Sequence, residues 1–132
     1  MKHVSHALWV MLAAVLSLGC TGSRNTNLSP RTATPTAEST HLFETTFQTH
    51  RRGVPPENVK AWVVIGLTLY PMQPVPNAVN RFEALLPLPA DRPVLRYRYK
   101  FEFLYPGVLD NRINSTMSPE YELTIPQASK AP

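Results

Sequence analysis

The sequence predicts an all-β fold, a small antiparallel β-sandwich, from three observations. The chain holds fourteen prolines and five glycines in 132 residues, and proline favours extended segments because it fixes φ and cannot donate to a strand ladder. After residue 40 the apolar residues recur with a period of two, which is typical of strands with one buried face. Turn residues separate the candidate strands at intervals of roughly 8–15 residues, which leaves no room for the crossover helices of a parallel sheet.

The clearest strand covers residues 94–105, with the sequence VLRYRYKFEFLY. One face carries Leu95, Tyr97, Tyr99, Phe101, Phe103 and Tyr105, and the other carries Arg96, Arg98, Lys100 and Glu102. Strict alternation predicts that the first face is buried and the second lies in solvent. Because a single cysteine cannot form an intramolecular disulfide, these aromatic rings must supply much of the core.

Two further strands are predicted within residues 42–70. Residues 42–49 turn Phe43, Thr45 and Phe47 toward the core. Residues 60–70, KAWVVIGLTLY, are almost continuously apolar, so we expect one central strand covered on both faces. Gly66 within it indicates a bulge or a close approach of another backbone.

Residues 81–86 and 121–125 supply the remaining strands. The first of these segments places Phe82, Ala84 and Leu86 on one face, and a short helix beginning there is the alternative. The second turns Tyr121, Leu123 and Ile125 inward and closes the domain. We therefore expect an immunoglobulin-like or similar sandwich over residues 41–126, followed by a disordered tail at residues 127–132.

A short apolar segment, residues 7–18, follows a start that contains Lys2. As a helix it would be about 18 Å long, whereas the hydrocarbon core of a bilayer is about 30 Å thick. A basic start, a short apolar centre and a small residue before the break are typical of an export signal. We expect residues 1–19 to be a signal peptide.

The sequence LSLGC, residues 16–20, ends this segment with the only cysteine of the chain. It resembles the lipobox of bacterial lipoprotein precursors, in which a cysteine after Gly or Ala is diacylated and becomes the new N-terminus. The resemblance covers residues 1–20 and implies cleavage between Gly19 and Cys20, with fatty acyl chains such as palmitate on Cys20. An ordinary secretory signal with a chance cysteine is the alternative.

The residue after Cys20 is Thr21 rather than Asp. By resemblance to the sorting pattern of Gram-negative lipoproteins, this implies the outer membrane, facing the periplasm. In a Gram-positive source the same anchor would hold the protein on the outer face of its membrane. In both cases the expected location is the cell envelope.

Residues 21–40 are rich in small polar side chains. Nine of these twenty residues are Ser or Thr, and Leu28 is the only large apolar one. Such a composition cannot bury enough apolar surface to offset the entropy of ordering. We therefore expect residues 20–40 to form a disordered linker, about 60 Å long when taut.

The candidate contact residues outside the N-terminal segment fall in two places. Arg96, Arg98 and Lys100 form a basic row that could bind an anionic surface or polymer. The alternative is a solvated strand face paired across the ladder with Glu120 and Glu122. Residues 110–119, which include Asn111 and Asn114, are expected to be the longest polar loop and, with residues 71–76, the first place to look for a ligand.

Several functional classes have little support in the sequence. The formal charge of +4 falls to about +3 without Lys2, and basic and aromatic residues alternate to opposite faces, which argues against nucleic acid. His41 and His50 lack cysteines or carboxylates at ligand spacing, so no metal site or cofactor is expected. No nucleophile stands beside a base, so we expect no enzyme, and a small hydrolase is the least favoured alternative.

These observations predict a lipid-anchored envelope protein that serves as an interaction or accessory module of an envelope assembly. Its partner is expected to be another envelope protein, bound through the edge of strand 42–49 or through the two large loops. A carbohydrate- or peptidoglycan-binding domain is the alternative. It would require exposed rings on one flat face, for which Trp62 and Tyr70 are the candidates.

Overall fold

The computed structural model of the chain describes residues 22–34, 39–50, 54–107 and 109–127. The strands are β1 Arg24–Asn27, β2 Thr40–Gln48, β3 Val59–Ile65, β4 Thr68–Pro71, β5 Gln73–Pro74, β6 Arg81–Pro87, β7 Val94–Pro106, β8 Asn111–Met117 and β9 Tyr121–Thr124. Within these ranges the only helical element is a 3-10 turn, Pro56–Asn58. The predicted all-β fold is therefore confirmed.

Two antiparallel sheets pack face to face. Sheet I has the strand order β1-β2-β6-β5, and sheet II has the order β4-β3-β7-β8, with β9 also paired to β7. The chain thus changes sheet after each pair of strands, with β1 and β2 in sheet I, β3 and β4 in sheet II, β5 and β6 in sheet I, and β7 to β9 in sheet II. This is the Greek-key order of immunoglobulin-like sandwiches. The segment 81–86, for which a helix was the alternative, lies inside the strand Arg81–Pro87.

The core consists mainly of the inward face of β7 and the aromatic residues of β2. Leu95, Tyr97, Tyr99, Phe101 and Phe103 are all buried, as the alternation predicts. The Phe101 ring stacks on Phe47 across the two sheets, with ring centroids 4.3 Å apart. The Tyr97 ring meets Phe43 edge-on at 4.9 Å. Aromatic packing of this kind replaces the disulfide that joins the sheets in many immunoglobulin domains.

Residues 60–70 form a hairpin rather than the single central strand that the apolar run predicted. β3 and β4 pair antiparallel, with Ile65 opposite Thr68. Gly66 occupies the first position of the two-residue turn with φ +61°, a conformation that glycine adopts without strain. The expectation of a bulge or close backbone approach at Gly66 is wrong, because no side-chain or backbone atom lies within 4 Å of a Cβ added there.

The N-terminal segment also differs from its prediction. Residues 22–34 were expected to belong to a disordered linker, but β1 pairs with β2 from Arg24↔Gln48 to Asn27↔Thr45. The chain then crosses to sheet II, where Thr32 pairs in parallel with Thr124 of β9. The folded domain therefore begins at Arg24. The composition of residues 22–34 did not predict this order, because mainly backbone pairing and polar contacts, rather than apolar burial, hold the segment.

A polar cluster between the sheets fixes the crossing segment. The Tyr99 hydroxyl lies 2.8 Å from the Ser29 hydroxyl and 3.0 Å from both Asn27 Oδ1 and the Glu44 carbonyl oxygen. Asn27 Nδ2 donates to the Tyr97 hydroxyl at 2.9 Å. Burial raises the pKa of the Tyr99 phenol well above its ordinary value, so this hydroxyl stays protonated and able to donate.

The strand directions define two ends of the sandwich. The Arg24 end contains the start of β1, the loop from β2 to β3, the loop Val75–Asn80 before β6, and the β7–β8 hairpin tip. The Leu67 end contains the β3–β4 turn and the last residue of β9, which lies opposite the first residue of β7. The N-terminal segment therefore enters at the Arg24 end, and the C-terminal segment leaves at the other.

Phe101→Ala should lower the free energy of unfolding by about 3–5 kcal/mol, because the fully buried ring leaves a cavity against Phe47. Denaturant unfolding of the purified domain, residues 22–127, measures this change. Leu85→Ala, which truncates an exposed side chain on the outer face of sheet I, is the control and should shift stability by less than about 0.5 kcal/mol. Equal stabilities of the two variants would contradict the inward assignment of this face of β7.

Tyr99→Phe should cost about 1–3 kcal/mol, because Ser29 and Asn27 lose a buried hydrogen-bond partner while the ring remains. Amide hydrogen exchange should also accelerate in residues 24–29, since the lost hydroxyl joins them to β7. Tyr70→Phe, which removes a hydroxyl from a half-buried ring on β4, is the matched control. Unchanged exchange in residues 24–29 would show that this cluster does not hold the segment.

Candidate interaction surface

The basic row lies on the outer face of sheet II. Arg96 and Arg98 are exposed and Lys100 is half-buried, as expected for the side of β7 opposite the core. Arg96 donates to Glu122 at 3.0 Å, and Arg98 donates to Glu120 at 3.3 Å. These pairs match the predicted cross-strand pairing, so acidic neighbours offset both arginine charges.

Lys100 has a different partner from the one expected. Its ammonium group lies 2.6 Å from Glu102 on the same strand and 5.5 Å from the centre of the Trp62 ring. The cause is the register, which places Trp62 directly beside Lys100 on β3 and Met117 on its other side. All three cations of the basic row therefore have acidic partners, which weakens the case for a binding stripe for anions.

Trp62 and Tyr70 do not form one flat platform. Trp62 lies opposite Lys100 on the outer face of sheet II. Tyr70 lies opposite the buried Val63 and packs against the core. The turn at Gly66 reverses the chain between the two rings and places them on opposite faces of the sheet. This arrangement removes the feature on which the carbohydrate alternative depended.

The expected ligand loop at residues 110–119 is largely a strand. Asn111–Met117 forms β8, which pairs with β7 from Lys100↔Met117 to Pro106↔Asn111. Asn111 is exposed near the hairpin tip and Asn114 is half-buried opposite Phe103. The loop prediction failed because β8 has few apolar residues, as an edge strand with little core contact can. The other expected loop, residues 71–76, contains β5 and the buried Met72.

β8 and β9 follow the same side of β7 but are separated by a β-bulge. Between the pairs Lys100↔Met117 and Tyr97↔Tyr121, β7 advances three residues while the other strand advances four. The extra residue falls at Ser118, whose backbone N–H donates to the Tyr99 carbonyl at 2.8 Å and whose hydroxyl accepts from the Tyr99 N–H at 2.8 Å. On one side of the bulge β8 is the neighbour of β7, and on the other side β9 is, so the outer edges of these two strands are considered separately.

The outer edge of β9 is covered. Thr124 donates its N–H to the Arg31 carbonyl at 2.8 Å and accepts from the Ala33 N–H at 2.8 Å. No comparable backbone partner covers the outer edge of β8 among the described residues. β8 therefore presents seven residues of open strand edge.

The hydrogen-bond alternation identifies the outward backbone groups of β8. The Ser118 bond shows that Tyr99 directs its backbone polar groups toward the β8 side of β7, so Phe101 and Phe103 do the same. Their partners on β8 are Thr116 and Asn114. The intervening residues, Ile113, Ser115 and Met117, therefore direct their N–H and C=O groups away from β7, toward a position that an added strand could occupy.

The remaining strand edges are shorter or blocked. The prediction that residues 42–49 form the free edge is wrong, because β2 pairs with β1 on one side and with β6 on the other. β1 and β4 have four residues each, and β5 has two, one of them proline. Short edges and prolines limit pairing with another chain. The longest open edge among the described strands is β8.

The two histidines predicted to lie outside the signal peptide do not form a catalytic or metal-binding cluster in the described residues. His41 is buried beside Phe43, with ring centroids 4.9 Å apart. Its Nε2 has no hydrogen-bond partner among the described residues. His50 is exposed after β2. In the described parts of the chain, no three His, Cys, Asp or Glu side chains are placed to hold a metal ion.

The predicted signal peptide, the predicted cleavage site at Gly19 and the predicted lipid site at Cys20 lie outside the described residues. The same holds for residues 128–132 of the predicted tail. Within the described ranges, no helix has the length and apolar character needed to cross a bilayer. The chain matches no protein-family model, no curated protein and no solved structure.

His41 should make the domain less stable as the pH falls from 7.5 to 5.5. Burial lowers the pKa of its imidazole below the ordinary value of about 6.5. Below pH 6.5 the imidazole of His41 therefore binds a proton more readily in the unfolded chain than in the folded one. The free energy of unfolding then declines by up to about 1.4 kcal/mol for each unit that the pH falls. Denaturant unfolding across this range measures the slope.

His41→Phe should abolish most of this slope, because the ring position is kept and the titrating group is removed. His50→Gln, in an exposed position, is the control and should leave the slope in place. A slope that persists in His41→Phe would assign it to other titrating groups.

Proposed function

We propose that this chain is a lipid-anchored protein of the cell envelope whose sandwich serves as a protein-interaction module, an accessory to an envelope assembly. The observation that carries the interaction role is the open edge of β8, where Ile113, Ser115 and Met117 present unpaired backbone groups. An extended segment of a partner can add to such an edge through main-chain hydrogen bonds. The expected partner is then a protein with an exposed edge strand, or with a disordered segment that becomes a strand when it binds.

The outer side chains of β8 favour a partner with apolar side chains. Ile113 and Met117 are 72% and 50% exposed, and both lie on the outer face of sheet II. Leu104, directly opposite Ile113 on β7, is also exposed. A strand added to β8 would extend this face, so its side chains could cover these three residues. Backbone pairing would supply affinity, and these apolar contacts would supply selectivity.

The envelope location is supported by the sequence around Cys20. Two or three acyl chains on this residue would hold the protein on a bilayer, since one chain gives marginal binding and each buried CH₂ contributes about 0.8 kcal/mol. Intact-mass analysis of the protein from membranes should therefore find residues 1–19 absent and acyl chains on Cys20. Cys20→Ser is the control and should appear in the soluble fraction. A full-length, unacylated chain from membranes would contradict the proposal.

Strand addition is tested with a photo-crosslinking residue at Ile113 in two variants of the full chain. Ser115→Pro removes an outward N–H from β8 without breaking the ladder to β7, since proline is tolerated where the N–H faces solvent on an edge strand. Ser115→Ala changes the same side chain and keeps that N–H. We expect crosslinks to an envelope protein with Ser115→Ala and their loss with Ser115→Pro.

Two results would contradict this mode of binding. Equal crosslinking in both variants would show that the partner does not pair with the backbone of β8. If crosslinks formed only between two copies of this chain, the partner would be a second copy, and the complex would be a homodimer formed at the same edge. Thermal unfolding of Ser115→Pro, compared with Ser115→Ala, checks that the substitution leaves the sandwich folded.

A further inference from the structure

The predicted anchor and the folded domain are separated by a short segment. Three residues lie between Cys20 and Arg24, the first residue of β1. A fully extended chain spans at most about 3.3–3.6 Å per residue, so the Cα atoms of Cys20 and Arg24 can be no more than about 14 Å apart. A twenty-residue linker would have allowed about 60 Å.

The short distance allowed between Cys20 and Arg24 determines which end of the sandwich meets the bilayer. β1 begins at the Arg24 end, because Arg24 lies opposite Gln48 at the close of β2. The loop Val75–Asn80 and the β7–β8 hairpin tip share that end. An acylated Cys20 would therefore hold these loops, and not the Leu67 end, against the lipid headgroups.

The exposed apolar residues at the Arg24 end suit this position. The hairpin continues three residues beyond the pair Val59↔Phe103, which is roughly 10 Å at the rise of a strand. Leu109 at its tip is 93% exposed, and Val79 in the loop before β6, at the same end of the sandwich, is 76% exposed. Isolated apolar side chains at loop tips gain from transfer into the boundary between headgroups and acyl chains.

Charge also favours this surface. Arg24 and Arg112 are exposed at this end and are offset by Glu57 and Asp110, which are exposed there as well. The segment that joins β2 to β3 adds Arg51 and Arg52, so the balance at this end is positive. We therefore expect docking to be stronger on anionic lipid and weaker at high salt.

We propose that the Arg24 end docks on the bilayer that holds Cys20, with Leu109 and Val79 inserted at the lipid interface and the sandwich standing upright on the membrane. This proposal rests on the lipid anchor of the proposed function. It adds an orientation and a second membrane contact, made by the folded domain itself. The occupant of this surface is lipid, not a second protein.

The test uses the full chain, acylated in the cell, purified and reconstituted into vesicles of phosphatidylethanolamine and phosphatidylglycerol. An acylated Cys20 has no free thiol, so Leu109→Cys or Leu67→Cys introduces the single reactive one. Leu67 is the matched control, because it is a leucine at a turn, 98% exposed, at the opposite end. Each variant carries an environment-sensitive fluorophore, and some vesicles contain brominated lipid as a quencher.

We expect blue-shifted emission and strong quenching by brominated lipid at position 109, and water-like emission with little quenching at position 67. Val79→Cys should behave like Leu109→Cys. A lower phosphatidylglycerol fraction should weaken the quenching at position 109 without reversing this contrast. Equal signals at positions 109 and 67, or stronger quenching at position 67, would overturn the proposed orientation.

Intact mass of the same preparations separates the two proposals. An acylated chain with equal signals at both ends overturns the docking alone and leaves the lipid anchor standing. A chain without acyl groups at Cys20 overturns both, since nothing then holds the Arg24 end near lipid.

Discussion

The packing of the inward face of β7 against β2 is the constraint on which the rest of the sandwich depends. With no disulfide between the sheets, the stacked rings of Phe101 and Phe47 and the edge contact of Tyr97 with Phe43 hold the two layers together. Since β7 also pairs with β3, β8 and β9, its position sets the register of sheet II. Its central ring, Tyr99, additionally fixes the N-terminal segment through its hydroxyl.

The hydrophobic pattern was a good guide only where a strand has a buried face. It predicted the fold class, the inward residues of β7 and the strand at residues 121–125, because burial requires alternation there. It could not find β1 or β8, since strands held mainly by backbone bonds at an edge need few apolar side chains. The hydrophobic pattern also predicted β3 and β4 as a single strand. Leu67 continues the apolar run in the sequence, although the turn exposes its side chain almost completely.

The candidate site was predicted in part for the same reason. The pairing of Arg96 and Arg98 with glutamates followed from strand alternation, whereas the open edge lay in a segment expected to be a loop. A weak signal was present there, since Ile113, Ser115 and Met117 alternate with Asn114 and Thr116. The two proposals are compatible in space, because an upright sandwich leaves the length of β8 accessible from the side, beside the membrane.

The crossing of the N-terminal segment between the sheets has a mechanical consequence. A pull between an anchored Cys20 and anything attached beyond Thr124 acts on opposite ends of the domain and runs nearly parallel to the strands. The hydrogen bonds of β1 with β2, and of the Thr32 bridge with β9, lie across that direction. With Cys20 anchored as proposed, these hydrogen bonds would be loaded together in shear rather than opened one after another. This segment should therefore resist stretching better than its short strands suggest.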